Sequence, residues 1–422
     1  MHDEGTLSVD DIDLSDVEFW LRPYRERAAA FRMLRHERPI SHYDEPDISA
    51  SAMEFPKGDG YYAVTRYADV AEVTRRPDVF LSGHGSVTMF DLPPEMAEYF
   101  SGMISTDNPK HARLRRIVSN AFNPKNVRSI EESIERVASE TVTRALESGT
   151  GDFVVDIASP YPSEIICLML GVPKSEYETV VRCASVILSN GDNEIIGEGA
   201  DPVVALLEAG GTLIGIMEEL GTYRRDQPID DVTSALVNAE IESERLTQQE
   251  LASFFVLLVT AGSETTRTAL SHALHYFGEF PDQQRRLADD FDGLAKTATD
   301  EIVRYASPIG WTRRTLASDY TLGGVDLRAG EHVVQFYGSA NRDETVFENP
   351  EMFDVGRTPN DHFGFGAPGP HFCLGAHLAR REITVMWREL LTRTPLIRAT
   401  NQPVQLASSF VNGIKHLNYR FE

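Results

Sequence analysis

The pattern of apolar and polar positions predicts helices over most of residues 106–305. Apolar residues recur there at helical spacing, and the breaks fall at 149–151 and 171–173, where glycine or proline stands. The longest apolar run, 251–280, is apolar nearly all round, so we expect it to form a helix that crosses the core. The glycine-rich stretch 189–215 interrupts the pattern and predicts a looser segment.

Strand signals are fewer and lie mainly outside that region. Residues 61–65 alternate and are rich in aromatic and β-branched types, 320–325 is typical of a hairpin, and 332–337 of a strand. A long connection, 341–372, has no clear period and ends in a helix predicted over 374–391. We therefore predict a mainly α protein with a minor β-sheet, in the α+β class.

Composition supports an ordinary globular protein. Of 422 residues, 41% are hydrophobic and 25% are charged. A prior of about 150 residues per domain would suggest two or three domains, but no linker divides the chain. We expect an acidic N-terminal segment, 1–20, that is only partly ordered, and a single catalytic domain over 21–422.

The net charge of −25 excludes some classes of function. A nucleic-acid binder needs a basic surface to displace counterions, and an anionic membrane also attracts basic proteins. The chain start lacks the basic and apolar regions of a signal peptide, and no run of about 18 apolar residues exists. A cytoplasmic monomer without membrane insertion is therefore expected.

The three cysteines are Cys167, Cys183 and Cys373, and no pair has the CxxC spacing of a zinc or redox site. Cys373 differs from the others because it ends a loop rich in glycine and proline, directly before a helix. Free backbone N–H groups and the helix dipole at such a place stabilise a thiolate, which is a ligand for a soft metal such as haem iron. The alternative is a buried structural cysteine.

The core helix is interrupted by the sequence Ala261-Gly262-Ser263-Glu264-Thr265-Thr266. Glycine inside a helix costs about 1 kcal/mol relative to alanine, and a buried carboxylate costs more unless it is paired. A sequence that keeps both in its most apolar helix indicates function. The alternative is a kink with a solvated acid.

In each of two further pairs, the two residues lie one helical turn apart. Glu301 and Arg304 share a helix face, and such pairs are usually exposed. His111 and Arg115 present donors on one face, and an arginine suits a carboxylate group. A plain basic helix face is the alternative for the second pair.

Together these segments closely resemble the cytochrome P450 haem-thiolate monooxygenases, in particular actinobacterial enzymes that hydroxylate lipids and sterols. The resemblance runs from about residue 20 to 422 and implies a triangular, helix-rich fold around haem b, with the Cys373 thiolate as axial ligand. By resemblance, Ala261 and Gly262 leave room for dioxygen, Thr265 hydrogen-bonds it and Glu264 relays protons. The loop residues that carry the resemblance are Phe365, Gly366, His371, Cys373 and Gly375.

The resemblance also assigns supporting residues. His111, Arg115, Arg314 and His371 would bind the haem propionates, although Arg313 stands beside Arg314. Glu301 and Arg304 would form a buried structural pair, completed by Arg357 or Arg342. The residues expected to wall the substrate pocket come from the lid 81–105 and four other segments, and are Val87, Met89, Phe90, Leu258, Val259, Ile309, Trp311, Phe410 and Val411.

These pocket residues are apolar, so an apolar substrate is expected, such as a terpenoid, a fatty-acid derivative or a steroid. The family's reaction consumes O2, with electrons from NAD(P)H through a separate reductase and an iron–sulfur ferredoxin. A haem-thiolate peroxygenase that uses peroxide and a non-catalytic haem sensor are the alternatives. The basic residues expected to form a docking face for the ferredoxin are Lys110, Arg113, Arg116, Lys125, Arg128, Arg380 and Arg381.

Overall fold

The computed structural model describes the chain except for residues 1–7, 48–54, 56–57, 93–101, 122–123, 241–243, 367 and 395. Helices predominate, and the strands form small sheets, which confirms the predicted class. The part of the predicted lid between 93 and 101 lies outside the described residues. Among the described helices, none is long and apolar enough to cross a membrane.

The helices follow one another from the N-terminal region to the last quarter of the chain. They are α1 (Val17–Leu21), α2 (Tyr24–Glu37), α3 (Tyr67–Arg75), α4 (Lys110–Ala121), α5 (Pro124–Ser148), α6 (Pro160–Leu170), α7 (Tyr177–Leu188), α8 (Asn193–Ile196), α9 (Pro202–Asp226), α10 (Val232–Val237), α11 (Gln248–Glu279), α12 (Pro281–Asp289), α13 (Phe291–Ala306), α14 (Tyr337–Ala340) and α15 (Ala376–Arg393).

The strands form one five-stranded sheet, one three-stranded sheet and two hairpins. They are β1 (Ile40–Tyr43), β2 (Tyr61–Val64), β3 (Phe80–Leu81), β4 (Thr150–Asp152), β5 (Trp311–Leu316), β6 (Tyr320–Leu322), β7 (Val325–Leu327), β8 (His332–Phe336), β9 (Ile397–Ala399), β10 (Val404–Gln405), β11 (Ile414–His416) and β12 (Asn418–Phe421). The larger sheet has the order β1-β2-β8-β5-β3, in which only β2 and β8 run parallel. The second sheet has the order β4-β12-β9, and the hairpins are β6-β7 and β10-β11.

The predicted hairpin at 320–325 is confirmed. Gly323 and Gly324 connect β6 to β7 with φ values of +54° and +86°. A two-residue turn whose central residues both have positive φ fits the twist of antiparallel strands, and glycine reaches that conformation without strain.

The long apolar helix α11 is the centre of the structure, as its pattern predicts. Thr247 caps its first turn, because its hydroxyl accepts from the Glu250 amide while the Glu250 carboxylate accepts from the Thr247 amide. The helix packs against α6, α7, α9, α13 and α15. A helix that is covered on every side must be apolar nearly all round, which explains the unusual composition of 251–280.

The structure refines two expectations about order. Residues 8–20 are not loosely attached, because Ile12 and Leu14 are buried beside Trp20, whose indole N–H donates to the Leu14 carbonyl at 2.9 Å. The glycine-rich stretch 189–215 is loose only in its first part. From residue 202 it belongs to α9, whose first turn is capped by the Asp201 carboxylate.

The connection between α14 and α15 is anchored by a buried ionic network. Arg304 donates to both oxygens of Glu301 at 2.7 and 2.8 Å, and both side chains are fully buried. Arg357 completes the network, since its Nε lies 3.1 Å from each Glu301 oxygen. The other candidate, Arg342, instead donates to the Tyr305 carbonyl at 2.5 Å. Helix α13 is thereby tied to the irregular chain that precedes Cys373.

Replacement of Arg357 tests this anchor. Arg357→Met leaves part of the Glu301 charge uncompensated in the interior, so we expect a loss of about 3–5 kcal/mol in the free energy of unfolding, measured by urea denaturation. The matched control is Arg328→Met, which breaks the exposed pair with Asp319 and is expected to cost less than about 1 kcal/mol. Equal losses in the two variants would contradict the anchoring role.

Candidate active site

A cavity of about 850 Å³ lies between α11, the loop before α15 and the first part of the lid. Its walls are mainly apolar. Most of the residues predicted to form the substrate pocket do line it, namely Val87, Met89, Phe90, Leu258, Ile309, Trp311 and Phe410.

Two predicted pocket residues do not face this cavity. Val259 follows Leu258 on α11 and is therefore rotated by about 100° around the helix, into a fully buried cluster with residues of α6 and α9. Val411 follows Phe410 in an extended segment that bridges to Ile309, so its side chain points to the opposite side and is fully buried. Both belong to the core and not to the pocket.

The Cys373 loop brings a thiol to the cavity wall. The Cys373 amide donates to the Phe365 carbonyl at 2.9 Å, and the Gly366 amide closes a turn onto the Phe363 carbonyl at 2.8 Å. Gly366 has a φ of +71°, which the turn requires and glycine supplies. Gly375 also lines the cavity, one residue before α15 begins.

The electrostatics of Cys373 differ from the expectation. Burial raises the pKa of the thiol, and the Gly375 amide and the cations of Arg115 and Arg380 oppose that effect only in part. The helix terminus alone therefore does not produce a thiolate. The Cys373 thiol becomes a thiolate ligand only when a bound metal cation replaces its proton.

The middle of α11 faces the cavity with small and hydroxylic residues. Ala261, Gly262 and Thr265 line it, and the Thr265 hydroxyl donates to the Ala261 carbonyl at 2.7 Å. Gly262 has a second reason to be small, because a Cβ atom there would lie 3.0 Å from the Cδ1 atom of Ile166 on α6. The glycine thus permits both the open wall and the close packing of the two helices.

Glu264 is buried and paired, and it does not line the cavity as Thr265 does. Its Oε2 atom accepts from Arg267 at 2.6 Å and its Oε1 atom from the Ser185 hydroxyl at 3.0 Å. Sequence reasoning missed both partners. The i, i+3 spacing of Glu264 and Arg267 could have indicated the first. Nothing local indicates Ser185, which lies on α7.

Four basic side chains meet at one corner of the cavity. The rings of His111 and His371 lie 4.1 Å apart, Arg115 donates to the Phe372 carbonyl at 2.7 Å, and Arg314 lines the wall. Burial lowers the pKa of His371 to about 3, with further lowering by the neighbouring Arg314, His111 and Arg115. The Nε2 atom of His111 is buried without a partner among the described residues.

This corner fits an anionic ligand. The nearby Asp107 carboxylate accepts from the Ser82 and Gly83 amides at 2.9 and 2.7 Å, so its oxygens are engaged elsewhere. The Arg115 and Arg314 guanidinium groups, with the unpartnered His111 ring nitrogen beside them, favour negative charge supplied from outside the chain.

The neighbouring side chains of Arg313 and Arg314 point to opposite sides of β5. Arg313 points to the other side of β5, where it donates to the Gly85 carbonyl at 2.9 Å and to the Asp91 carboxylate at 2.6 Å. Successive residues of a strand face opposite sides, so only Arg314 reaches the cavity. Arg313 fastens the start of the lid instead.

A family model described as "Cytochrome P450" matches residues 212–416. A methyl-branched lipid omega-hydroxylase of Mycobacterium tuberculosis is 43% identical over 414 residues, which cover 97% of this chain and 95% of that protein. The chain belongs to the cytochrome P450 family. A steroid C26-monooxygenase of Rhodococcus jostii is 36% identical over 97% of this P450 and 84% of its own length. A Mycobacterium marinum P450 solved in complex with pseudoionone has a TM-score of 0.92 and 41% identity, covering 99% and 100% of the two chains.

The comparisons confirm the predicted family, the P450 fold and the class of enzyme, a P450 monooxygenase with a haem-thiolate cofactor. The site described above is compatible with that cofactor. The basic corner offers partners for two propionates, and Cys373 offers sulfur on the same cavity.

Several of the basic residues predicted to form a docking face for the ferredoxin have partners within the chain, and the docking face stays a prediction. Arg113 pairs with Glu250 at 2.8 Å, and Arg380 pairs with Asp300 at 2.8 Å. The remaining members are either partnered, as are Lys110, Arg116 and Arg381, or have side chains outside the described residues, as do Lys125 and Arg128.

Glu382 is a further cavity residue that the sequence did not reveal. It lies on α15, is 2% exposed and accepts a hydrogen bond from Thr266. Burial raises its pKa to about 8. A carboxyl group in this position holds its proton near neutral pH.

The Glu382 proton gives a pH-dependent stability. Between about pH 4.5 and 8 the unfolded chain has lost this proton and the folded chain retains it, so the free energy of unfolding falls as pH rises, by at most about 1.4 kcal/mol per pH unit. We expect Glu382→Gln to remove this slope in urea titrations at a series of pH values. Glu389→Gln, two turns further along α15, is the control. Parallel pH profiles for wild type and Glu382→Gln would contradict the buried proton.

Proposed function

We propose that this P450 hydroxylates an apolar small molecule of the terpenoid, fatty-acid or steroid type. The observation that carries the proposal is the large apolar cavity that ends at Cys373. The names of the relatives, a lipid omega-hydroxylase and a steroid C26-monooxygenase, agree with an apolar substrate. A cavity lined by aromatic and aliphatic side chains gains binding energy from apolar surface and little from charge.

In this proposal Cys373 ligates the haem iron, and His111, Arg115, Arg314 and His371 bind the propionates. The haem supplies the activation of dioxygen and the oxidation of the substrate carbon. The hydrogen bond from the Cys373 amide to Phe365 fixes the loop, so the sulfur position is set before the cofactor binds.

The residues of α11 supply protons in this proposal. The Thr265 hydroxyl faces the cavity and is oriented by the Ala261 carbonyl, which leaves its oxygen lone pairs available to the cavity side. Glu264 sits one residue earlier, and its Oε1 atom is in contact with the half-buried Ser185 hydroxyl. A hydroxyl both accepts and donates protons, so Ser185 can connect Glu264 to the surface of α7.

We further propose that the electrons come from NAD(P)H through a separate reductase and an iron–sulfur ferredoxin. A peroxygenase would not need the acid–hydroxyl pair of Glu264 and Thr265, and a haem sensor would not need Thr265. Thr265 on the cavity wall, with the buried Glu264 beside it on α11, favours the monooxygenase over both.

Reconstitution tests the reaction. With ferredoxin, reductase, NAD(P)H and O2, we expect an apolar terpenoid or steroid to be hydroxylated, whereas hydrogen peroxide alone supports little turnover. Thr265→Val should still consume NAD(P)H but convert on the order of 10²-fold less of it into product, the usual contribution of a positioned proton donor.

Thr268→Val is the matched control, because Thr268 is buried on the same helix one turn further on and outside the cavity. It should couple NAD(P)H consumption to product as the wild type does. Peroxide-driven turnover as fast as the ferredoxin-driven reaction, with no effect of Thr265→Val, would instead identify a peroxygenase.

A further inference from the structure

A cluster of charged side chains joins the segment after α7 to the C-terminal hairpin β10-β11. The Lys415 ammonium on β11 lies 3.1 Å from the Asp192 carboxylate and 2.7 Å from the Glu194 carboxylate. Asp192 is buried and also accepts from the Ala407 amide at 3.3 Å. Each of these contacts spans more than 200 residues of sequence, so they fasten two elements that the chain itself does not connect.

His416 extends this cluster to a third element. Its Nε2 atom lies 2.5 Å from Glu194 Oε1, and its Nδ1 atom lies 2.5 Å from Asp152 Oδ2 on β4. Both ring nitrogens face carboxylate oxygens, so both must donate, and the ring must carry a proton on each. The contacts with Glu194 and Asp152 raise the pKa of His416 above its ordinary value.

The charged groups near His416 come from several neighbouring elements. Besides Glu194 and Asp152, they are Lys415 on the same strand, Asp192 before α8, and Asp156, which lies after β4 and accepts from the Asp152 amide. Arg267 on α11 donates to the Ile414 carbonyl, two residues before His416. Carboxylates outnumber cations in this group. The protonated form of His416 is therefore the one that the surroundings favour.

Both fastened elements contribute to the cavity wall. Asn190 and Gly191 line it from the first element, and Ser408, Ser409 and Phe410 line it from the hairpin. Asn190 is exposed, and its side-chain amide donates to the Ala407 carbonyl at 3.4 Å. The cavity thus extends to the edge where the two elements meet, and the charged cluster lies beside that edge.

We propose that Lys415 and His416 are positioning residues that hold residues 190–196 against the C-terminal hairpin and thereby set the rate at which ligands enter and leave the cavity. The proposal rests on the proposed function, because it takes this cavity to be the substrate site. When the contacts break, the two walls separate at their edge. The interior surface that binds the ligand stays the same, so rates change more than affinity.

The test uses the haem-loaded enzyme and the bulky azole clotrimazole, whose imidazole nitrogen coordinates haem iron and shifts its absorption spectrum. Stopped-flow measurements give association and dissociation rates for the wild type, Lys415→Met and Glu194→Gln. We expect both rates to rise about fivefold in each variant, because one partly buried charge pair is lost. The Kd should change by less than about twofold. Glu194 is half exposed, so Glu194→Gln is expected to fold even if Lys415→Met does not.

Arg398→Gln is the matched control, because it breaks the pair with Glu422, away from the cavity wall. It should leave both rates unchanged, and carbon monoxide, which is small, should bind all variants alike. Clotrimazole that fails to shift the wild-type spectrum would contradict the proposed function. Normal spectra with unchanged rates in Lys415→Met and Glu194→Gln would overturn only the inference about the cluster.

The proposal also fixes the sign of a pH effect. His416 is protonated below its raised pKa and loses one of its two carboxylate contacts as pH rises through that value. The wild-type dissociation rate of clotrimazole should therefore increase as pH rises above the ordinary range of histidine, whereas His416→Gln should show a flatter profile. A pH dependence that is the same in wild type and His416→Gln would overturn the role of His416.

Discussion

The structure depends on holding one cysteine sulfur at a fixed point on the wall of an apolar cavity, at the end of a loop without regular secondary structure. A helix or strand would fix the sulfur through its own hydrogen bonds, and this loop cannot. Its position comes instead from the Cys373 amide bond to Phe365, from α15 directly after it, and from the Glu301 network that anchors the preceding connection. The Glu301–Arg304 pair is fully buried, so it adds rigidity where the chemistry requires it.

Positive and negative side chains occupy different places around the same cavity. The basic corner of His111, Arg115, Arg314 and His371 lies on one side, while Glu264 is withdrawn from the wall and held by Arg267 and Ser185. The remaining walls are apolar, so a ligand there meets charge only at defined places. This arrangement keeps the basic corner, the buried Glu264 carboxylate and the apolar volume distinct around one cavity.

Sequence patterns predicted the elements well where one physical signal dominates. The all-round apolar run 251–280 could only be a central helix, and the glycine pair at 323–324 could only be a tight hairpin.

The residues of the pocket wall were harder to predict, because Val259 and Val411 are as apolar as their neighbours and differ only in the direction of their side chains. Ser185, Glu382 and the Lys415 cluster join segments far apart in sequence, so no local pattern could reveal them. The thiol pKa of Cys373 also required the fold, because burial outweighs the helix terminus.

The central claim is that Cys373 is the haem ligand, and the absorption spectrum of the reduced carbon monoxide complex tests it most directly. Cys373→Ser should bind carbon monoxide, if it retains haem, without the long-wavelength band that a thiolate ligand produces. Cys167→Ser and Cys183→Ser should keep that band, because both thiols are buried in the cluster packed around α6 and α7 and do not line the cavity. A thiolate-type band that persists in Cys373→Ser, or disappears in either of the other two variants, would contradict the account.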